Sequence, residues 1–427
     1  MIMAVFLVSL FGLLAFGIPI FMSIGASGLA LYFAGTGEFA PNIMIQRMYS
    51  GLNSFTLMAI PLFMLAGEIM NRGELSKKMV RFANCILGWV PGGLGFTTII
   101  ACMFIAAILG SASAAAAMIG AILIPEMIER GYEEDFACAL TASAGSIGPI
   151  IPPSIPMIIY GVIANVSVVK MFVGGYIPGL LMGLLFMIYT YVFARKHNYP
   201  AEKKPTPREV WDAFKRAFLT LLLPIIIMGS ILLGVCTATE AAVLAVVYAL
   251  ILSIFVYRTL PLKDIPDTMM SAAKSSAMVL VVVASANMLS WAVTMMNIPH
   301  IVSNAVHSLT SSAAVFLIIV NLILVVAGMF LDASSAIMIL TPVLLPIALE
   351  LGVDPLAFGI IVTVNLSIGV LTPPVGLNLY VVSSLSNVNI LKISKAAIPF
   401  IILIFAILVV SSVWPQTITF LPTLLYG

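Results

Sequence analysis

Two nine-residue stretches of the chain are variants of one motif: SIGPIIPPS occupies 146–154 and SIGVLTPPV occupies 367–375. Both lie inside long apolar segments, and each contains two adjacent prolines. The offset between the copies is constant at 221 residues (373 minus 152), so the chain contains an internal repeat. The matched positions are Ser146 with Ser367, Gly148 with Gly369, Pro152 with Pro373, Pro153 with Pro374, and, further upstream, Pro125 with Pro346.

Each double proline is expected to break a helix. A helical N–H bonds the carbonyl four residues earlier, proline has no N–H, and the residue before a proline is driven out of helical geometry. The segments 136–163 and 356–386 are therefore predicted to be helices that break in the middle of the membrane. The carbonyls expected to lose their partners are those of Gly148, Pro149, Gly369 and Val370.

The composition of the 427 residues places the chain in a bilayer. Apolar residues make up 62%, charged residues only 8%, and the formal net charge is +2. Soluble domains carry about a quarter charged residues, so a soluble enzyme and a nucleic-acid binder are excluded. Period-2 alternation is absent, which leaves an all-α polytopic membrane protein. The glycines at 175, 179 and 183 form a small-residue face that favours close helix packing.

Basic residues predict the orientation. The cluster from Arg195 to Arg216 is expected in the cytoplasm. The apolar run 2–34 is taken as one crossing, and the segments 91–129 and 311–349 as hairpins that enter and leave on one side. Counting each hairpin as two full crossings gives the same sides, so the charges do not decide between these alternatives. The N-terminus is then cytoplasmic, the C-terminus periplasmic, and the two repeats are inverted, as is typical of secondary transporters.

The breaks predict ion sites. Unpaired carbonyl oxygens in a bilayer need a partner, which a desolvated Na⁺ supplies, and the new helix N-terminus attracts a carboxylate. A plain proline kink is the alternative, and it is less favoured because the motif occurs in two inverted copies.

The predicted hairpin tips carry polar residues in the middle of apolar segments. Ser111 aligns with Asp332 at the repeat offset, and an acid at that depth is expected to bind a cation or carry a proton. The serines can also be satisfied by their own backbone. The predicted substrate-binding residues are Ser111, Ser113, Ser154, Asp332, Ser334, Ser335 and Asn378.

Two segments are amphipathic and are predicted to lie along the membrane surface. In 74–88 and in 208–218, apolar residues occupy one helix face and charged residues the other.

Several segments resemble the large membrane (M) subunit of tripartite ATP-independent periplasmic (TRAP) transporters, of the sialic acid type. They are IPLFMLAGEIM at 60–70, GSASAAAAMIGAILIPEM at 110–127, and the two double-proline motifs. The resemblance covers essentially the whole chain. It implies the bacterial inner membrane, a separate small membrane (Q) subunit, a periplasmic substrate-binding protein and no ATPase subunit.

The resemblance also implies an elevator-type secondary transporter with two sodium sites and no other cofactor. The transport domain would comprise 91–170 and 311–392 within the single unit 1–427. The scaffold and arm helices would comprise 1–88, 171–310 and 393–427, with a second arm helix near 297–309. The implied sodium ligands are Ser111, Gly148, Ile151 and Pro153 at one site, and Gly369, Thr372 and Pro374 with Asp332 nearby at the other.

The predicted function is sodium-coupled uptake of an organic anion, with sialic acid as the best guess. The alternatives are a permease for C4-dicarboxylates or another organic acid, and a proton-coupled stand-alone carrier. A channel is a further class. An intramembrane enzyme is not expected, because no Ser/His/Asp or paired-acid constellation lies at membrane level.

Overall fold

Two helical hairpins, each followed by a broken helix, form the centre of the molecule. The structure is a computed structural model that describes residues 2–309 and 312–427. The predicted second half, 311–392, therefore begins at a residue outside the described ones.

All regular secondary structure in the described residues is helical, with short 3₁₀ segments at Phe55–Met58 and Leu262–Asp264 and a π segment at Leu252–Val256. The helices are α1 (Ile2–Ala15), α2 (Ile20–Thr36), α3 (Pro41–Leu52), α4 (Ala59–Arg72), α5 (Leu75–Leu87), α6 (Gly93–Leu109), α7 (Ala112–Glu129), α8 (Glu134–Gly145), α9 (Ile155–Ala164), α10 (Val168–Lys196), α11 (Pro207–Leu232), α12 (Ala238–Ile251), α13 (Ile265–Met295), α14 (Ile298–Leu309), α15 (Ala313–Gly328), α16 (Ala333–Glu350), α17 (Pro355–Gly369), α18 (Leu377–Ser386), α19 (Ile390–Val413) and α20 (Gln416–Tyr426).

The repeat seen in the sequence is also a repeat of structure. Helices α7 and α16 have 18 residues each, and their first residues differ by the sequence offset, 333 minus 112. The hairpins are α6–α7 and α15–α16, and the broken helices are α8–α9 and α17–α18. The predicted hairpins and mid-segment breaks are confirmed.

The helices pack into two bodies. One contains α1–α4 and α11–α13, in which α13 packs against α2, α3 and α4. The other contains both hairpins and both broken helices, and α10 and α19 pack onto it: α10 contacts α6, α9 and α17, and α19 contacts α8 and α17. The contacts thus join α10 and α19 to the two repeats, although the sequence prediction counted most of both with the scaffold.

Two amphipathic helices connect the bodies. Helix α5 packs against α6 on one side and α11 on the other, and α14 packs against α16 and α13. Both lie where the sequence predicted arm helices. The predicted surface helix at 208–218 is instead the first part of the 26-residue helix α11, because no helix-breaking residue separates it from the apolar stretch that follows.

Within the described residues, seven helices are long and apolar enough to cross a membrane, or eight if the bent pair α3–α4 counts as one span. The apolar run 2–34, predicted as one crossing, is instead two shorter helices that pack on each other. Gly17 has a positive φ of 75° and Pro19 precedes α2, so the run is interrupted there. The prediction of a cytoplasmic N-terminus was derived with this run as one crossing, and the structure divides the run into two helices.

Candidate functional site

Break 1, residues 146–154, replaces helical hydrogen bonds with local ones. Ser154 is the N-cap of α9: its hydroxyl accepts from the Met157 N–H at 3.3 Å and donates to the carbonyl of Pro149. Ser154 is fully buried, and its hydroxyl supplies the backbone partners that water cannot supply there. Among the described residues, no donor reaches the carbonyl of Gly148, so that oxygen is free for a ligand.

Break 2, residues 370–376, is closed by a turn. The Thr372 N–H bonds the Gly369 carbonyl at 3.0 Å, and the Asn378 N–H bonds the Val370 carbonyl at 3.1 Å. The Thr372 hydroxyl donates to the Ile368 carbonyl at 2.8 Å. Both breaks contain a cis peptide bond between their prolines.

The expectation of four unpartnered carbonyls is therefore wrong for three of them. Pro149, Gly369 and Val370 all receive a local donor, and only Gly148 receives none within the described chain. The physical reason is that a cap hydroxyl or a turn N–H substitutes for the N–H that proline lacks. A carbonyl oxygen has two lone pairs, so these partners leave each of the three able to bind a cation.

Each hairpin end touches the break of its own repeat. Gly110 at the first tip has a positive φ of 58°, and a Cβ added to it would lie 2.7 Å from the Ile155 nitrogen and 3.3 Å from the Pro153 carbonyl oxygen. In the second repeat, a Cβ added to Gly369 would come closer than 3.0 Å to the backbone of Gly328. Only glycine permits these two approaches: the first joins a hairpin tip to break 1, and the second joins the end of α15 to the end of α17, directly before break 2.

The serines at the first tip begin α7. Ser111 is its N-cap and accepts from the Ala114 N–H at 3.5 Å, which is a long contact, and its hydroxyl oxygen lies 3.4 Å from that of Ser113. Because Ser111 follows Gly110 directly, it is placed next to break 1. The structure thus brings Ser111 and Pro153, predicted ligands of one sodium site, to the same tip contact.

The acid at the second tip begins α16. The Asp332 carboxylate accepts from the N–H groups of Ser334 at 3.0 Å and Ser335 at 3.3 Å, and from the Ser335 hydroxyl. These contacts make Asp332 an N-cap, a role the sequence interpretation did not include. Ser335 is buried and Ser334 half-buried. Three of the predicted substrate-binding residues, Asp332, Ser334 and Ser335, therefore belong to this cap.

Asn378 lies at the start of α18, fully buried. Its side-chain amide nitrogen donates to the carbonyl of Ala142 in α8 at 2.9 Å, so it joins the second break to the first repeat. Within the described chain its side-chain oxygen has no hydrogen-bond partner. A buried amide oxygen without a donor is a strong candidate for binding a cation or a substrate hydroxyl.

The glycine face of α10 seats break 1. A Cβ added to Gly179 would lie 2.6 Å from Ile151 Cγ1, and one added to Gly175 would come closer than 3.0 Å to the Ile150 carbonyl oxygen. The predicted small-residue packing face is confirmed. Ile151 and Pro374, which the resemblance implies as sodium ligands through their carbonyls, lie in break 1 and break 2.

One polar cluster was missed by the sequence interpretation. Asn365 in α17 is fully buried, and its amide nitrogen donates to both the backbone and side-chain oxygens of Asn321 in α15, at 2.9 Å each. Asn321 donates in turn to the Ser412 hydroxyl at 3.3 Å. The sequence signal for this cluster is the position of both asparagines inside apolar segments.

The assembled donors are oxygens of carbonyl, hydroxyl, amide and carboxylate groups. Across residues 2–309 and 312–427, no three His, Cys, Asp or Glu side chains converge as a metal site. Oxygen donors of this kind suit hard cations better than soft transition metals.

Comparison with known proteins identifies the family. Residues 7–417 match the model described as "Tripartite ATP-independent periplasmic transporter, DctM component". The chain is 42% identical to the isethionate TRAP transporter permease protein DctMQ of Oleidesulfovibrio alaskensis over 94% of this chain, and it spans 63% of that relative. Two Vibrio cholerae relatives are the C4-dicarboxylate permease DctM (37% identical, 100% of this chain and 99% of the relative) and the sialic acid permease SiaM (35%, 97% of each).

The crystal structure of the YdaH transporter from Alcanivorax borkumensis shares the fold, with a TM-score of 0.70 at 15% identity over 93% of this chain and 98% of that one. The relatives are named as transporter permeases and not as enzymes. The chain therefore belongs to the DctM component family of tripartite ATP-independent periplasmic transporters, as a multi-pass membrane permease subunit.

Proposed function

We propose that this chain is the large permease subunit for sodium-coupled uptake of an organic anion across the bacterial inner membrane, with sialic acid as the leading substrate. It would act with a small membrane subunit and a periplasmic binding protein that delivers the substrate. The observation that supports this most is the close backbone approach beside each break, of Gly110 to Pro153 and of Gly328 to Gly369, which places each hairpin next to the break of its own repeat. The basic cluster from Arg195 to Arg216 would face the cytoplasm and the C-terminus the periplasm.

Charge supplies the reason for sodium coupling. Moving a monoanion into a negative-inside cell costs ~2.3 kcal/mol per 100 mV. Two co-transported Na⁺ make the moving complex net positive, so the membrane potential then assists uptake. The transport body would carry the sites past the scaffold as an elevator, and the packing of α10 and α19 favours including them in that moving body.

Two substrate candidates follow from the relatives. The relatives are named for isethionate, C4-dicarboxylates and sialic acid, which are all organic acids. A C4-dicarboxylate or another organic acid is thus the second candidate. A proton-coupled carrier through Asp332 is less favoured, because the Asp332 carboxylate already serves as the acceptor that caps α16.

The test is uptake into proteoliposomes that contain this chain, its small subunit and the cognate binding protein. Sialic acid and C4-dicarboxylates are offered under an inward Na⁺ gradient, in choline medium, and under a proton gradient without Na⁺. The proposal predicts accumulation only with Na⁺, increased by a negative-inside potential. Equal uptake in choline would overturn the sodium coupling, and uptake of neither acid class would overturn the substrate assignment.

A further inference from the structure

A cavity lies where arm helix α5 meets the start of α11, away from the hairpins and breaks. Its volume is about 340 Å³, at the lower end of the range for small-molecule pockets. It is formed by charged and aromatic side chains of both helices. Its lining residues are Lys78, Arg81, Phe82, Glu209, Asp212, Ala213 and Arg216.

The cavity is lined by more basic than acidic side chains. Within the described chain, none of its three basic side chains, Lys78, Arg81 and Arg216, forms an ion pair within 4.0 Å. Of its two acids, Glu209 uses one carboxylate oxygen as the acceptor for the N–H and hydroxyl of Thr206, at 2.7 and 2.9 Å, and keeps its negative charge. The three bases outnumber the two acids by one, and Asp212 is the acid whose carboxylate caps nothing, so the lining fits an anionic group with a positive group beside it.

An aromatic ridge borders the cavity. The rings of Phe82 and Phe214 are 5.8 Å apart, and Phe214 also contacts Trp211 at 5.7 Å and Phe218 at 5.3 Å. Trp211 and Phe218 are 54% and 42% exposed. Exposed aromatic side chains beside basic residues, at the start of a membrane-spanning helix, are typical of the lipid headgroup region. This setting fits a ligand that has an apolar part as well as a charged head better than it fits free phosphate.

We propose that this cavity binds the headgroup of phosphatidylethanolamine. The phosphodiester would lie against Lys78, Arg81 and Arg216, the ammonium against Asp212, and the acyl chains along the aromatic ridge. Basic pockets between membrane helices are known to hold phospholipid headgroups. The bound lipid would hold α5 against α11, so it would join an arm helix to the scaffold. This inference stands on the chain's membrane location and not on its transported substrate.

The test is native mass spectrometry of the purified transporter, titrated separately with phosphatidylethanolamine, phosphatidylglycerol, phosphatidylcholine and inorganic phosphate. The chain offers a matched control on the same two helices, because Lys77 and Lys215 are the neighbours of Lys78 and Arg216 but do not line the cavity. The variants are therefore K78Q/R216Q and K77Q/K215Q, with R81Q as a second probe if the first double variant does not fold. Asp212→Asn tests the ammonium contact.

The proposal predicts that K78Q/R216Q weakens phosphatidylethanolamine binding roughly 25-fold, at about fivefold per lost charge, while K77Q/K215Q retains it. Asp212→Asn should reduce phosphatidylethanolamine binding to the level of phosphatidylcholine and should not weaken the binding of phosphatidylglycerol, whose anionic headgroup it no longer repels. Equal loss in both double variants, or displacement of the lipid by inorganic phosphate, would overturn the site. Phosphatidylglycerol binding as tightly as phosphatidylethanolamine would overturn the ethanolamine assignment.

Discussion

The side-chain amide of Asn378 donates to the backbone carbonyl of Ala142 at 2.9 Å, and this bond joins the second broken helix to the first. The two residues are 236 positions apart in the chain, so the bond forms only when both repeats are folded together. The repeat offset places Met157 at the position of Asn378 in the first repeat (378 minus 157 is 221). The two breaks are thus similar in backbone and different in polarity.

Asn378→Met replaces the amide with the residue that the first repeat uses. We expect the variant to lose about 0.5–1.5 kcal/mol of stability, because the bond from Asn378 is lost while the Ala142 carbonyl keeps the Ser146 N–H at 3.2 Å. Asn378→Asp should be worse, since it sets a carboxylate against that carbonyl. The check is thermal unfolding of the purified chain in detergent; a wild-type melting temperature for Asn378→Asp would contradict the assigned bond.

Gly369→Ala should disrupt the contact between the second hairpin and its break. The added Cβ meets the backbone of Gly328 at less than 3.0 Å, and backbone cannot move aside as a side-chain end can. We expect loss of folded protein or of transport, measured by size-exclusion chromatography and uptake.

Gly229→Ala is the matched control for that variant. Gly229 lies inside α11, and a Cβ there has nothing within 4 Å. Alanine should keep or slightly raise stability there, by up to ~1 kcal/mol from helix preference. Equal behaviour of the two variants would show that the Gly328–Gly369 approach is unimportant.

Among the predicted ligands of the second sodium site, only Thr372 carries a side-chain hydroxyl. Thr372→Val removes it. The Thr372 hydroxyl donates to Ile368, so its oxygen still has lone pairs for a cation. We expect the Na⁺ concentration for half-maximal uptake to rise roughly 10-fold, the size expected for a hydrogen bond to a charged group.

Thr363→Val provides the control for Thr372→Val. Thr363 lies in α17, is buried and, like Thr372, donates to the carbonyl four residues earlier, but it lies about two turns before the break. Its removal should leave the Na⁺ dependence unchanged. The same shift in both variants would point to a general packing effect.

Gly67 of α4 and Leu109 of α6 mark a contact between the two bodies. A Cβ on Gly67 would lie 3.8 Å from the Leu109 Cα, which is close enough for a disulfide. In a cysteine-free background, oxidising Gly67→Cys/Leu109→Cys should stop uptake, and a reductant should restore it, because the bond would hold the moving body to the scaffold.

A second pair within one body controls for cross-linking itself. A Cβ on Gly174 of α10 would lie 3.3 Å from Ile418 Cγ2 of α20, and both helices pack with the repeats. Cross-linking Gly174→Cys/Ile418→Cys should leave uptake intact. Unimpaired uptake with the Gly67–Leu109 bond closed would exclude relative motion of the bodies at this contact.

The backbone breaks could be predicted from sequence because proline acts locally: Pro152-Pro153 and Pro373-Pro374 remove donors whatever surrounds them. What replaced those donors could not be predicted. The bond from Asn378 to Ala142 and the tip contact of Gly110 with Pro153 depend on packing between distant segments, which no local pattern encodes. The interruption of the run 2–34 at Gly17 and Pro19 follows from the same proline rule, whereas the hydropathy of the run alone predicts one crossing.

The central claim is that the oxygen donors at the two breaks bind Na⁺, and the most direct measurement is the melting temperature of the purified chain, titrated with NaCl, KCl or choline chloride at constant ionic strength. A ligand that binds only the folded state raises stability by RT ln(1 + [L]/Kd). The account predicts a concentration-dependent rise with NaCl alone, reduced in Thr372→Val and preserved in Thr363→Val. The same melting temperature in all three salts would contradict it.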